Sequence, residues 1–206
     1  MRPTVFVVDD DASVLSAVGR LIGSAGHKVE TFSSPREFFE RARSDGPGCL
    51  VVDLRMPELT GLQLQEAMIR GGYHLPVIFM SGQADIQSTV RAIQCGAIDF
   101  LLKPFDEHQL LQAIDRAIAR NTEERAALAR RDALRARLDL LTPREREVCV
   151  LVAAGRLNKQ IAAQLGIAEK TVKAHRARVM AKLDTPSVAE LVRIVDGARD
   201  SESLDT

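Results

Sequence analysis

Five short apolar runs alternate with helical patterns through residues 4–119, and this alternation constrains the fold more than any other feature of the sequence. The runs cover residues 4–8, 29–32, 50–52, 76–80 and 98–102. Apolar residues at helical spacing fill the segments between them, and a further helix begins near residue 106. Strands that alternate with helices are typical of a parallel sheet covered on both faces. We therefore predict a doubly wound α/β domain with a five-stranded parallel sheet.

Polar side chains follow four of these runs, at the point where each predicted strand ends. These residues are Asp9 and Asp10, then Asp53, Ser81 and Lys103. Because the carboxyl ends of parallel strands lie along one edge of the sheet, the side chains should converge there. Clustered carboxylates suit a hard cation such as Mg²⁺, and Asp53 could then act as a nucleophile toward phosphorus. Taken singly, each residue also has an ordinary role as a helix cap, a turn residue or a surface charge.

The same segments resemble the receiver domains of bacterial two-component response regulators over about residues 3–120. The resemblance rests on Val-Val-Asp9-Asp10, Val-Val-Asp53-Leu-Arg-Met-Pro, Met80-Ser81-Gly and Phe100-Leu-Leu-Lys103-Pro-Phe. It implies that Asp53 accepts a phosphoryl group from a sensor histidine kinase, with Ser81 and Lys103 in the same pocket. It also implies a Mg²⁺ or Mn²⁺ site, whose ligands would be Asp9, Asp10, Asp53 and the backbone carbonyl of Arg55.

Ser81 and Phe100 stand at the positions of the family's conformational switch. Ser81 takes the place of the family's Ser or Thr, and Phe100 that of an aromatic residue that changes rotamer with the hydroxyl group. Phenylalanine lacks the phenolic hydroxyl of tyrosine, so Phe100 can act through burial but not through a side-chain hydrogen bond. By the same resemblance, about residues 84–119 would form the surface through which two phosphorylated chains pair.

Residues 106–141 contain neither Gly nor Pro and are rich in Ala, Leu, Arg and Glu, which predicts a long helical segment. Two alternatives stay open: one continuous helix, or a break at Asn121-Thr-Glu-Glu124, whose Asn and Glu could cap a new helix. The later leucines do not keep a strict heptad, so the pattern is compatible with a solvated linker and with a dimer seam. We assign residues 1–120 to a receiver domain and residues 121–138 to a helical linker.

A second domain is predicted over residues 139–200, followed by a flexible tail at 201–206. Thr142-Pro143-Arg-Glu145 is a strong helix start, with Thr as the cap and Glu at the third helical position. Three more helices follow, near residues 158–165, 169–183 and 187–198. Gly166 marks a short turn between the first two of these. The pattern predicts an all-α, four-helix domain that contains a helix-turn-helix with a basic second helix.

This part of the chain resembles the LuxR/FixJ-type DNA-binding domains of NarL/FixJ response regulators. The shared motifs are Leu-Thr-Pro-Arg-Glu145-Arg-Glu-Val, Asn158-Lys-Gln-Ile-Ala and Thr171-Val-Lys-Ala-His-Arg. The resemblance implies that the domain binds double-stranded promoter DNA as a dimer on related half-sites. The residues expected to contact DNA are Lys159, Lys170, Thr171, Lys173, Ala174, Arg176, Arg178 and Lys182. An ordinary helical bundle with a solvated basic face is the alternative.

Charge is unevenly distributed along a chain whose formal net charge is zero. Residues 1–119 carry 15 acidic and 11 basic groups, whereas residues 142–198 carry 6 acidic and 10 basic groups. The basic excess favours nucleic acid as a partner of the second half. Three widely spaced cysteines show no metal-ligand spacing. The sequence shows neither an apolar segment of membrane-spanning length nor a signal-peptide pattern, so we expect a soluble bacterial cytoplasmic protein without a membrane partner.

Together these features predict a transcription regulator whose phosphorylation at Asp53 promotes homodimerisation and promoter binding. Its expected partners are a sensor histidine kinase, promoter DNA, a second copy of the chain and, at the promoter, RNA polymerase. One alternative is a Mg²⁺-dependent phosphohydrolase with an aspartyl nucleophile, but Arg55 stands where such enzymes have a second acid. Another is a constitutive DNA-binding protein whose first domain is only structural. We favour the regulator, which is not a turnover enzyme.

Overall fold

A computed structural model of the protein describes residues 2–42, 46–82 and 86–202, apart from the side chains of residues 86–89 and 197–202. The chain forms two compact units, Met1–Arg125 and Ala126–Thr206. The strands are β1 Thr4–Val8, β2 Lys28–Phe32, β3 Gly48–Asp53, β4 Val77–Ser81 and β5 Asp99–Leu102. The helices are α1 Ala12–Ser24, α2 Pro35–Arg41, α3 Gly61–Arg70, α4 Ile86–Gln94, α5 Glu107–Asp139, α6 Pro143–Ala153, α7 Asn158–Leu165, α8 Glu169–Lys182 and α9 Val188–Glu202. None of these described helices is long and apolar enough to cross a membrane.

The first unit contains the predicted five-stranded parallel sheet, in the order β2-β1-β3-β4-β5. Side chains alternate between the two faces of the sheet along each strand. On one face, Phe6 and Leu50 pack in a core with α2 and α3. On the other face, Val7 and Val51 pack in a second core with α1 and α5. Helices therefore cover both faces, and the predicted doubly wound fold is confirmed.

Several strands begin one or two residues away from the predicted positions. β3 begins at Gly48 rather than at residue 50, because Gly48 pairs with Thr4 of β1. The two strands are so close here that a Cβ atom on Gly48 would lie 2.3 Å from the carbonyl oxygen of Thr4. A local apolar pattern contains no information about such a pairing partner, so the prediction starts the strand too late.

The ends of two predicted segments fall at the borders of the described residues. The sequence pattern predicts the second helix over residues 35–43, and Arg43 lies outside the described residues, as do residues 203–206 of the predicted tail. Helix α9 continues to Glu202, so the first two residues of the predicted tail are helical.

Helix α5 is continuous for 33 residues, so the break considered at residues 121–124 does not occur. Asn121 is fully buried and ties the helix to the start of β3 and to the loop before β4. Its side-chain oxygen accepts a hydrogen bond from the backbone N–H of Gly48 at 3.0 Å, and its Nδ2 donates to the carbonyl of His74 at 2.6 Å. The first compact unit extends to Arg125, so residues 121–125 of the predicted linker belong to this unit.

The second unit consists of the end of α5 together with the four predicted helices, α6 to α9. Leu134 and Leu138 of α5 pack against a core formed by apolar side chains of all four helices. The predicted start of α6 is confirmed, because the Thr142 hydroxyl accepts from the N–H of Glu145 and the Glu145 carboxylate accepts from the N–H of Thr142. The sequence pattern therefore predicted both the class of this unit and its first helix cap.

Replacing Asn121 with Ala should destabilise the first unit by about 1–3 kcal/mol, because it leaves the buried N–H of Gly48 without a partner and removes the bond to His74. The chain has one tyrosine, Tyr73, and no tryptophan, so urea unfolding followed by tyrosine fluorescence reports on the first unit. Thr122→Ala alters the next, exposed position and should change stability by less than about 0.5 kcal/mol. Equal midpoints for the two variants would contradict the anchoring role of Asn121.

Candidate phosphoacceptor site and DNA-binding surface

The carboxylate of Asp53 lies at the end of β3, where both of its oxygens accept hydrogen bonds. Oδ1 accepts from Nζ of Lys103 at 2.7 Å, and Oδ2 accepts from the backbone N–H of Arg55 at 2.7 Å. Only 7% of Asp53 is exposed. The residue follows the fully buried residues 50–52, which hold the strand in the core and bring the carboxylate to the edge of the sheet.

Asp9 lies immediately after β1 and shares the same ammonium group. Its Oδ2 accepts from Nζ of Lys103 at 2.7 Å, and its Oδ1 accepts from the backbone N–H of Asp11 at 2.9 Å. Asp9 is 1% exposed. Because β1 and β3 are parallel neighbours, the carboxylates of Asp9 and Asp53 emerge side by side. Lys103, which follows β5, therefore connects the ends of two other strands, as the predicted convergence requires.

Two carboxylates and one ammonium group leave this pocket with an excess of negative charge. Burial raises the pKa of Asp9 and the charge of Asp53 adds to this effect, although the hydrogen bond from Lys103 opposes it. Burial lowers the pKa of Lys103, but its hydrogen bonds to Asp53 and Asp9 outweigh burial and raise that pKa overall. The ammonium group is therefore held in its charged form, and the pocket attracts a further cation.

Ser81 and Phe100, the two predicted switch residues, lie on β4 and β5. Ser81 is buried as the last residue of β4, and its carbonyl accepts a hydrogen bond from the backbone N–H of Lys103 at 2.7 Å. Phe100 pairs with Phe79 across the two strands and packs, half-buried, against the core on the α2 and α3 side. Ser81 therefore lies at the same sheet edge as Asp53, and Phe100 is partly accessible to solvent.

Two of the predicted metal ligands, the carboxylates of Asp9 and Asp53, lie together at the sheet edge. Asp10 is exposed, and the ammonium group of Lys103 lies between the carboxylates of Asp9 and Asp53. Among the residues that the structure describes, no group of three or more Asp, Glu, His or Cys side chains is arranged to hold a metal ion. The chemistry of the donors still fits a hard divalent cation, because two buried carboxylates that share one ammonium group retain negative charge.

Two backbone features of the pocket are missing from the sequence prediction. The N–H of Arg55 bonds to Asp53, whereas the family resemblance implies a role only for its carbonyl. Gly61, at the start of α3, lies so close to β3 that a Cβ atom there would be 2.5 Å from the carbonyl oxygen of Asp53. Only this tertiary contact explains why a side chain does not fit at this position.

Helices α7 and α8 form the predicted helix-turn-helix, with Gly166 in a left-handed conformation (φ 64°) after α7. Val172, Val179 and Leu183, which are spaced by seven and four residues, lie in the core of the unit. Most of the residues predicted to contact DNA are exposed and, within the described part of the chain, have no hydrogen bond or ion pair to another helix. These residues are Lys159, Lys170, Thr171, Lys173, Ala174 and Arg178.

Arg176 and Lys182, which are also predicted to contact DNA, bond to neighbouring parts of the same unit. Nη1 of Arg176 donates to the side-chain oxygen of Asn158 on α7 at 2.6 Å. Nζ of Lys182 donates to the carboxylate of Glu145 at 2.7 Å and to the carbonyl of Leu140 at 3.1 Å. The bond from Lys182 is the main cause that lowers the pKa of Glu145 to about 2. At pH values above the usual pKa of a glutamate side chain, the Glu145 carboxylate therefore contributes its full stabilisation to the fold. This contribution is lost as the pH falls toward about 2.

Comparison with known protein families assigns both units. Residues 5–115 match the response regulator receiver domain, and residues 139–195 match the luxR family of bacterial regulatory proteins. The chain is 44% identical over 193 residues to nodulation protein W of Bradyrhizobium diazoefficiens. The matched region covers 94% of this chain and 85% of that protein. It is 41% identical over 197 residues to the response regulator protein TodT of Pseudomonas putida. This match covers 96% of this chain and 87% of that protein.

A solved structure is similar over nearly the whole chain. The response regulator StyR matches with a TM-score of 0.87 and 46% sequence identity, and the match covers 95% of this chain and 99% of that one. A single shared domain does not account for coverage of this extent. The chain therefore belongs to the two-component response regulators that join a receiver domain to a LuxR-type helix-turn-helix domain, and it is a DNA-binding regulator of transcription.

Proposed function

We propose that Asp53 is the phosphoacceptor and takes its phosphoryl group from a histidine of a sensor kinase. The observation that carries this proposal is the hydrogen bonding of Asp9 and Asp53 to the single ammonium group of Lys103 at one sheet edge. In the transfer, an oxygen of Asp53 attacks phosphorus and the P–N bond breaks as the P–O bond forms. The histidine nitrogen keeps the electron pair and takes up a proton. The product is an aspartyl phosphate.

Lys103 and Ser81 are the groups that would bind the new phosphoryl group. The ammonium group of Lys103 already contacts the carboxylate of Asp53, so it lies within reach of oxygens attached there. The hydroxyl of Ser81, at the end of the neighbouring strand, would supply a second hydrogen bond. The phosphorylated Asp53 would carry a charge of about −2 in place of the single negative charge of its carboxylate, and these donors compensate the increase.

A Mg²⁺ or Mn²⁺ ion would be held by the carboxylates of Asp9, Asp10 and Asp53 and by the backbone carbonyl of Arg55. When bound, the ion supplies positive charge that neutralises the carboxylates and the phosphoryl oxygens. The raised pKa of Asp9, which burial and the neighbouring Asp53 cause, supports such a site. A buried carboxylate beside a second one is more stable in its ionised form when a cation is near.

Phosphorylation is proposed to promote homodimerisation through α4 and β5. Val90 and Ile93 of α4 and Leu102 of β5 are exposed apolar side chains. Val90 and Ile93 are three residues apart on one face of the helix, and β5 is the edge strand of the sheet next to β4. Ser81 and Phe100 lie on β4 and β5, so a rearrangement at these residues would shift the population toward the pairing state.

The exposed residues of the helix-turn-helix are proposed to contact promoter DNA. They are Lys170, Thr171, Lys173, Ala174 and Arg178 on α8, with Lys159 on α7. Arg176 and Lys182 are better explained as positioning residues, because each already donates to another segment of the unit. One of these bonds ties α8 to α7 and the other ties it to the first turn of α6. Together they fix the helix that carries the DNA contacts.

The cellular role follows from phosphorylation of Asp53 and from DNA binding by the helix-turn-helix. We propose a bacterial cytoplasmic regulator that acts at a promoter, where RNA polymerase is a further partner. Its aspartyl phosphate would hydrolyse slowly, without turnover of an external substrate. Arg55 stands two residues after Asp53, where a phosphohydrolase of this type would need an acid, so the enzyme alternative is not supported.

Asp53→Asn should abolish phosphorylation by acetyl phosphate and Mg²⁺, because an amide oxygen is a much weaker nucleophile than a carboxylate. Intact-mass spectrometry should detect one added phosphoryl group on the parent protein, and EDTA should prevent its addition. Asp132→Asn, at an exposed position of α5, is the matched control and should be phosphorylated like the parent. Equal phosphorylation of Asp53→Asn and the parent would exclude Asp53 as the phosphoacceptor.

Ile93→Glu should prevent the dimerisation that acetyl phosphate induces, since it places a charge on the proposed pairing surface. Sedimentation velocity should find this variant monomeric under conditions in which the parent is a dimer. Ile69→Glu is the control, because Ile69 on α3 is 61% exposed and Ile93 is 60% exposed. If both variants form dimers as stable as those of the parent, the pairing surface lies elsewhere.

Lys182→Met and Lys170→Met distinguish a positioning lysine from one that contacts DNA. Losing one phosphate contact should make the slope of log affinity against log salt shallower by about 0.9, and we expect this for Lys170→Met. Lys182→Met should keep the parental slope but lose hydrogen-exchange protection in α6 and α8, because Glu145 is left buried without its partner. A shallower slope with unchanged exchange for Lys182→Met would place Lys182 among the DNA contacts.

A further inference from the structure

The last turns of α5 are part of the DNA-binding unit. Leu134 and Leu138 pack against the core of that unit. Nη2 of Arg137 donates to the carbonyl of Asp184, just beyond the end of α8, at 3.4 Å. The segment of α5 after Arg125 is therefore attached to the unit that carries the helix-turn-helix, and it lies beside the end of α8.

Three exposed arginines, Arg130, Arg131 and Arg135, lie on this segment, and we name them the linker arginines. Within the described ranges of the chain they make no hydrogen bond or ion pair. Arg116 and Arg120, nearer the start of the same helix, both pair with carboxylates. The linker arginines therefore present positive charge that the described residues do not neutralise.

Helical spacing relates the linker arginines to Leu134 and Leu138, the two leucines of this segment that contact the DNA-binding unit. Residues three or four positions apart on a helix lie on the same face. Arg130 and Arg131 come four and three residues before Leu134, and Arg135 comes three residues before Leu138. Both leucines contact the core of the unit, so helical spacing places the exposed arginines beside the contact face of α5.

We propose that the linker arginines bind the DNA backbone next to the site that α8 contacts. Residues 126–138 carry four arginines and one acid, Asp132, and this charge pattern suits a polyanion. Arginine presents a planar fork of N–H donors that matches phosphate oxygens. Arg137 of the same segment contacts Asp184, just after α8, so the linker arginines lie on a segment next to the end of the helix that carries the proposed DNA contacts.

Full-length variants test the proposal, which rests on DNA binding by α8. Replacing all three linker arginines with Gln removes the charge and retains good helix propensity. If each arginine contacts one phosphate, the slope of log affinity against log salt becomes shallower by about 2 to 3. The ratio of parental affinity to variant affinity should then fall about 40-fold when the salt concentration is raised from about 50 to 200 mM. Operator and random-sequence duplexes should be affected equally, since phosphate contacts do not read sequence.

A second triple variant, with Arg2, Arg20 and Arg70 replaced by Gln, removes the same charge from exposed positions of the first unit. It should keep the parental slope, which separates a local contact from an effect of net charge. The proposal is overturned if the linker variant keeps the parental slope, or if the second variant changes it by the same amount. Failure of the parent to bind any duplex DNA would overturn this proposal and DNA binding by α8 together.

Discussion

The ammonium group of Lys103 allows two carboxylates to be buried side by side at the edge of the receiver sheet. Asp9 and Asp53 end neighbouring strands, and their negative charges would repel each other strongly where water is scarce. Two hydrogen bonds of 2.7 Å from one Nζ offset part of this repulsion. The arrangement depends on the parallel topology, because strands that all end at one edge bring their polar residues to one place. A group that adds charge at Asp53 therefore competes with Asp9 for the same cation.

The second unit uses its charged residues differently. Arg176 and Lys182 bond to Asn158 and Glu145, and these contacts hold α8 at two points along its length. The Glu145 carboxylate also completes the cap of α6, so one side chain joins the start of one helix to the end of another. A small helical unit has a limited core, so polar contacts of this kind contribute to fixing the angles between its helices.

The sequence predicts elements well where burial leaves a local pattern. α7 begins and ends at the predicted residues, 158 and 165, and the left-handed Gly166 marks its end. Asp53, Ser81 and Lys103 are predictable as a group, since the alternation of strands and helices determines where strand ends meet. Asn121 shows the limit of this reasoning: its bonding partners lie 47 and 73 residues away, and its local context resembles a helix cap. Lys182 is one of the basic residues on the predicted DNA-contacting helix, and only the tertiary structure reveals its bond to Glu145.

The separation of roles along α8 has an evolutionary consequence. Exposed positions such as Lys170 and Arg178 can change without removing any contact that orients the helix. A change at Lys182 leaves a buried carboxylate unpaired, so it is tolerated best when Glu145 changes as well. A new promoter preference therefore requires only surface substitutions, whereas a change at Lys182 or Glu145 calls for a compensating change at the other residue.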